Sequence, residues 1–129
     1  MKNIIILLAV ILTSFAAQSQ SLSKKDVTGT WFVQNVENIT ANPKMASAMA
    51  KAVINLYADS SFEIKQKQEG SAYSYATTTH KNAKWSYNPS TQTINTTRSK
   101  MTFIISQSGD KIYFTDQNSG LKFEVVKPI

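Results

Sequence analysis

His80 is the single histidine of the chain, and no cysteine accompanies it. A zinc or redox site needs several such ligands converging on one point, and a nucleophilic triad needs a serine or cysteine held against a base. His80 follows threonines, precedes Lys81 and has no serine at a recognisable spacing, so it reads as a surface histidine. Glycoside hydrolysis needs two facing carboxyl groups. Here the acidic residues are dispersed, and Glu63 and Glu124 alternate with apolar neighbours, which turns them toward solvent. Four scattered glycines form no phosphate loop. These residues predict no catalytic group, no metal and no cofactor, and the chain is not expected to be an enzyme.

The chain instead carries aromatic and aliphatic side chains at alternate positions of strand-like segments. Trp31, Val33, Phe62, Ile64, Tyr73, Tyr75, Trp85, Tyr87, Phe103 and Phe123 fall on faces that can point inward. Such faces offer a large apolar surface, and tyrosine O–H and indole N–H groups can orient the polar end of a ligand. These residues are the candidate ligand wall; the same faces packed against one another would be a solid core. On the segment holding Tyr73, Tyr75 and Thr77, the alternatives are a wetted pocket wall and an exposed aromatic strip.

The elements that must position these side chains come from period and punctuation. Alternation of period two broken by turn residues every 8 to 12 positions predicts an all-β fold. The segments are 29–36, 53–57, 61–66, 72–79, 83–87, 91–98, 101–106, 111–115 and 121–127: nine strands, or eight if one is lost to a loop. In the first, Trp31 and Val33 share one face, and Phe32, Gln34 and Val36 the other. Asn42 to Lys51 reads as one short helix between the first two strands, with Asn42 as N-cap and Pro43 at the first helical position. Its Met45 and Met49 lie four residues apart on an apolar face and suit either an adaptable lid or a fixed plug. Short connections predict sequential antiparallel pairing, and a long meander avoids bare edges by closing into an up-and-down barrel. A barrel of this size is either packed solid or holds one small ligand.

The N-terminus reads as a secretory leader. Lys2 precedes an unbroken apolar run from Ile4 to Leu12, and small residues come after it. The run is nine residues, against about 20 for a membrane span. Cleavage after Ser19, preferred over Ala16, gives a leader over 1–19 and one domain over 20–129. With no cysteine for a lipid anchor and no second long apolar stretch, the expectation is an exported protein, periplasmic or secreted, soluble and not lipid-anchored, with no integral membrane association. The core must hold without disulfides. Loss of Lys2 lowers the formal charge of +6 to +5. The densest basic stretches, Lys81 with Lys84 and Arg98 with Lys100, are too sparse to predict a nucleic-acid partner.

Gly29-Thr30-Trp31 at the start of the first strand resembles the Gly-x-Trp motif of lipocalins. Ala83-Lys84-Trp85-Ser86-Tyr87 with its Asn-Pro turn resembles the mid-chain tryptophan hairpin of small bacterial lipocalin-like domains, and the likeness in layout covers nearly the whole mature chain. The pattern departs from lipocalins where their closing strand places an arginine over the first tryptophan: the last strand here offers Lys122 and Lys127. Thr115-Asp116-Gln117 partly resembles the family's Thr-Asp-Tyr element. The resemblance implies a calycin-type barrel and a non-catalytic carrier or sensor of a small apolar ligand. A second expectation is an exported interaction or inhibitor module with a filled interior, acting through its loops on a protein partner in the cell envelope.

Overall fold

The computed structural model describes residues 22–68 and 74–128. The expected leader and Tyr73 lie outside the described residues. Helix α1 (Lys24–Val27) precedes β1 (Gly29–Glu37). A 3-10 turn (Ile39–Ala41) and helix α2 (Pro43–Met49) lead into β2 (Val53–Leu56), β3 (Phe62–Lys67) and β4 (Tyr75–Thr77). Strands β5 (Lys84–Asn88), β6 (Thr93–Thr97), β7 (Thr102–Ser108), β8 (Lys111–Asp116) and β9 (Lys122–Val126) complete the order. All nine form one antiparallel sheet in the order β4-β3-β2-β1-β9-β8-β7-β6-β5. Each strand thus pairs with its sequence neighbour except β4 with β5, and the first strand pairs with the last.

Of the side chains expected to point inward, Trp31, Val33, Phe62, Ile64, Trp85, Phe103 and Phe123 are buried, while Tyr75 is exposed because its short strand lies at the sheet edge; Ile54, Ile94, Ile105 and Phe114 join the buried face. The sheet curls far enough for Phe62 on β3 to meet Phe103 on β7, with ring centroids 6.4 Å apart. Phe103 also lies 5.6 Å from Phe114 and 6.2 Å from Phe123, and Trp31 lies 5.2 Å from Phe114.

The expected closed barrel is not completed as a ladder between β4 and β5. The far edge of β3 is divided instead. Its Lys65–Lys67 stretch pairs with β4. Thr78 N donates to Ile64 O at 2.9 Å, Phe62 N to Ala83 O at 3.0 Å, and Trp85 N to Ser60 O at 2.9 Å. With the bridge between Ser61 and Lys84, β5 takes over the lower part of the edge that β4 serves above. One edge offers one set of backbone groups, so a short β4 and a short β5 share it and do not pair with each other.

Two local expectations change. Strict alternation places Val36 outside with Phe32, but β1 carries a register shift between Val33 and Asn35. The extra residue of a bulge reverses the facing of the residues beyond it, and Val36 packs on the core. Helix α1 does not appear among the sequence expectations, although its capping box is present: Ser23 Oγ accepts from Asp26 N, and Ser23 N donates to the Asp26 carboxylate.

Helix α1 seals one end of the curled sheet. Val27 is fully buried. Trp31 Nε1 donates to Val27 O at 2.8 Å, Tyr87 Oη to Leu22 O at 2.7 Å, and Lys127 Nζ to Asp26 O at 2.9 Å. Lys127 Nζ also stands 5.5 Å over the Trp31 ring. Gly29, at φ +135°, clears its path: a Cβ there would lie 2.6 Å from Lys127 Cε.

On the outer face Glu63 gathers the short strands. Its carboxylate accepts from Asn55 Nδ2, Tyr57 Oη and Thr77 Oγ1 at 3.1, 2.8 and 2.8 Å. Burial pushes the Glu63 carboxyl up, but the hydrogen bonds from Tyr57, Thr77 and Asn55 and the charge of Lys65 together hold it below the usual carboxylate range. The same contact, with burial adding, raises the Tyr57 phenol.

Gly29→Ala is expected to cost about 1–3 kcal/mol from backbone strain alone and to lower Tm by several degrees. Adding Lys127→Ala should relieve the contact but not the φ strain, so a double-mutant cycle by thermal denaturation should show only partial recovery. Because Glu63 has a lower pKa folded than unfolded, its stabilisation is present above an unfolded pKa of about 4.3 and is lost as pH falls through the folded pKa. Urea midpoints between pH 6 and pH 3 should therefore fall more steeply for the wild type than for Glu63→Gln.

Candidate functional site

Most of the residues expected to line a ligand cavity meet one another in the interior. Trp31, Val33, Phe62, Ile64, Trp85, Phe103 and Phe123 are each no more than 3 % exposed. Trp85 donates its indole N–H to Tyr57 O at 2.8 Å. Tyr87 packs at the rim of this core, and burial, with the Asp26 charge adding, raises its phenol pKa. Tyr75 stands apart: it is 43 % exposed, and its hydroxyl donates to Lys51 O at 3.3 Å, so it clips β4 to the end of α2 from outside. Met45 and Met49 part company as well. Met49 is fully buried and accepts from Gln66 Nε2 at 3.7 Å, whereas Met45 is half-buried. The helix carrying them begins as expected, with the Asn42 side chain accepting from Met45 N at 3.1 Å and Pro43 opening the first turn.

A groove of about 620 Å³ runs beside α1 between Leu22, Trp31, Val125 and Lys127. A smaller pocket that combines an apolar floor with converging polar groups lies at the α2 end, opposite α1. Its volume is about 400 Å³. Ile64, Met101 and Met45 supply apolar surface. Gln66, Thr78, Thr79, His80, Arg98, Lys100 and Asp116 supply the polar wall, and the turn at Asn118 and Ser119 completes it. Three features place these groups. The divided edge of β3 throws His80 and its neighbours outward between β4 and β5. The β5–β6 hairpin, in which Lys84 pairs with Thr97, carries Arg98 up beside them. The β8–β9 turn then closes the third side.

That last turn is organised by a carboxylate. Asp116 is 1 % exposed. Its Oδ1 accepts from Thr102 N at 3.1 Å and from Asn118 N at 3.5 Å, and its Oδ2 accepts from Ser119 N at 3.2 Å and Ser119 Oγ at 2.7 Å. Asn118 Nδ2 reaches across to donate to Lys100 O. One buried carboxylate therefore ties the β8–β9 turn to the start of β7, using both oxygens. Arg98, in contrast, sits at φ +55°, a region that costs side chains other than glycine, asparagine or aspartate about 1–2 kcal/mol.

His80, Arg98, Lys100, Asp116 and Met101 are functional candidates that the strand-face reading does not select. The sequence does signal part of this set. Arg98 and Lys100 form one of its densest basic stretches, and the Thr-Asp-Gln element contains Asp116. What it lacks is any sign that His80, 18 residues away from Arg98, lies beside it. Among the described residues no three histidine or acidic side chains come together to hold a metal ion, and no helix is long and apolar enough to cross a membrane.

The chain matches no family model, no curated protein and no solved structure.

Asp116→Asn should expose the role of this carboxylate. An amide can accept on only one side, so its NH2 would face Thr102 N–H or the Ser119 donors. The loss of charge-assisted bonds and the opposed donors are expected to cost about 2–3 kcal/mol, read as a lower urea midpoint at unchanged m-value.

Proposed function

We propose that this protein is an exported, non-catalytic binding protein built as a lipocalin-like barrel, and that it carries or senses a small, largely apolar ligand in the pocket at the α2 end. The pocket carries this reading: about 400 Å³, with Ile64, Met101 and Met45 at its apolar side and a polar wall around it. That size falls at the lower part of the range for small-molecule sites, about 300–1,000 Å³. The tight packing of the interior aromatic rings favours this end over the sheet's centre as the seat of the ligand.

Two further features support the lipocalin-like build. The pairing of first strand with last gives the sheet the circular order of an up-and-down barrel, with one opening at β4 and β5. Lys127 lies over Trp31, where the resemblance calls for an arginine on the first-strand tryptophan. In this reading Met45 is the movable part of the lid and Met49 its anchor.

A second reading, a module that engages a protein partner of the cell envelope, draws on one outer-face feature. Phe32 is 40 % exposed and its neighbour across the β1–β9 pair, Val126, is 37 % exposed. Single exposed apolar groups are ordinary on protein surfaces, so this patch weighs less than the pocket.

Isothermal titration and thermal shift with decanol and decanoate test the first reading. At least one should bind and raise Tm. Met45→Trp, which fills the pocket mouth from α2, should weaken binding about tenfold or more while leaving the fold intact by circular dichroism. Absence of binding to either probe, or binding indifferent to Met45→Trp, would remove the pocket as the ligand site.

A further inference from the structure

The hydrogen bonds around His80 specify more than a polar wall. Asn82 N donates to His80 Nδ1 at 3.0 Å. A backbone N–H can only donate, so Nδ1 is the acceptor nitrogen and the ring proton resides on Nε2. Nε2 in turn stands 3.4 Å from Arg98 Nη1. A guanidinium also can only donate. Two N–H groups therefore face each other across the pocket wall, and neither can accept from the other.

The remaining charges point the same way. Lys100 lines the same pocket. Among the described residues no carboxylate pairs with Arg98 or Lys100 within ion-pair distance. The acidic group of the wall, Asp116, has both oxygens engaged by four donors, three from its own turn and one from Thr102 N at the start of β7. The pair is exposed, so water can serve both donors; an oxyanion shared between His80 Nε2 and Arg98 Nη1 would replace that water with two charge-assisted hydrogen bonds, and the net positive charge of the chain favours its approach. The apolar side formed by Met45, Ile64 and Met101 would receive whatever is attached to that oxyanion.

We propose that His80 and Arg98 form a clamp for the anionic head of an amphiphilic ligand, with Lys100 adding charge and the Met45–Ile64–Met101 surface taking the tail. The assignment rests on the pocket reading above and adds to it the class of ligand: an organic anion with an apolar chain. Arg98 sits at φ +55°, a conformation shared by Lys51, Ser60 and Gln92, and asparagine fits it with less strain.

The experiment compares decanoate with decanol, which share a chain and differ in head charge, on the wild type and on Arg98→Asn. Asparagine suits the left-handed backbone, so Arg98→Asn is expected to keep or raise Tm, which separates loss of the clamp from loss of the fold. The wild type should bind decanoate about tenfold more tightly than decanol, and Arg98→Asn should bring the two to near equality by weakening decanoate alone. Because His80 is the sole histidine, its ring 15N signals identify themselves. They should show the Nε2–H form before addition and a shift at Nε2 on titration with decanoate, but not with decanol. Equal affinity of the wild type for both probes, or a decanoate preference that survives Arg98→Asn, overturns the clamp and leaves the pocket standing. Binding of neither probe overturns both.

Discussion

Phe103 is the side chain on which the two halves of the sheet meet. Its ring touches Phe62 from β3, Phe114 from β8 and Phe123 from β9. It is fully buried, as are Phe114 and Phe123. A curled sheet of nine short strands encloses a small volume, and interiors pack at crystal-like density. Once four or five aromatic rings occupy that volume, little is left for anything else. The filled centre then leaves the ends and the surface of the sheet as the places where a pocket can form. In the proposed reading the ligand lies at an end; at the α1 end Val27 and hydrogen bonds from Trp31, Tyr87 and Lys127 close off the interior, and a surface groove of about 620 Å³ runs outside them. The pocket beside His80, Arg98 and Met45 opens at the α2 end.

The other constraint is the edge of β3. Its backbone groups serve β4 near Lys65–Lys67 and β5 near Ser60–Phe62. The chain must leave the sheet between these two stretches, and it does so at His80–Asn82. The interruption in the ladder and the placement of the imidazole thus have one cause. A continuous β4–β5 ladder would draw residues 78–83 into the sheet and leave the Arg98 turn facing other groups. Irregular backbone beside an open edge is where binding groups collect, because regular pairing elsewhere fixes side chains on one of two faces.

Period-two alternation made the strand set legible, and with it the buried face: Trp31, Phe62, Trp85, Phe103 and Phe123 are where the pattern puts them. Asn42 and Pro43 made the start of α2 legible because capping is a local matter. The bulge in β1 was not legible, since nothing in Gln34 or its neighbours distinguishes a skipped register from an ordinary one, and Val36 changed sides with it. The open ladder was not legible either, because it arises from how two short strands divide a third, a long-range choice. The candidate site divided in the same way. Arg98 and Lys100 stood out as a local basic pair, while His80, judged alone, had no chemistry to offer. A histidine acquires a role from the group opposite it, and here that group comes from the far end of another hairpin.

The two ends of the sheet also differ in how firmly they are held. At the α1 end, large aromatic side chains bond directly to backbone carbonyls, and the helix is clamped between them. At the α2 end, a helix of seven residues, too short to persist alone, rests on Met49 and Ala46, its two buried side chains. Met45 sits one turn away from Met49 on the same face but is only half-buried. Rotation of the helix about Met49 would move Met45 across the pocket mouth while keeping the deepest contact. Helix α2 thus keeps its anchor in the core at Met49 while Met45, one turn away, lines the pocket that the proposed reading assigns to the ligand.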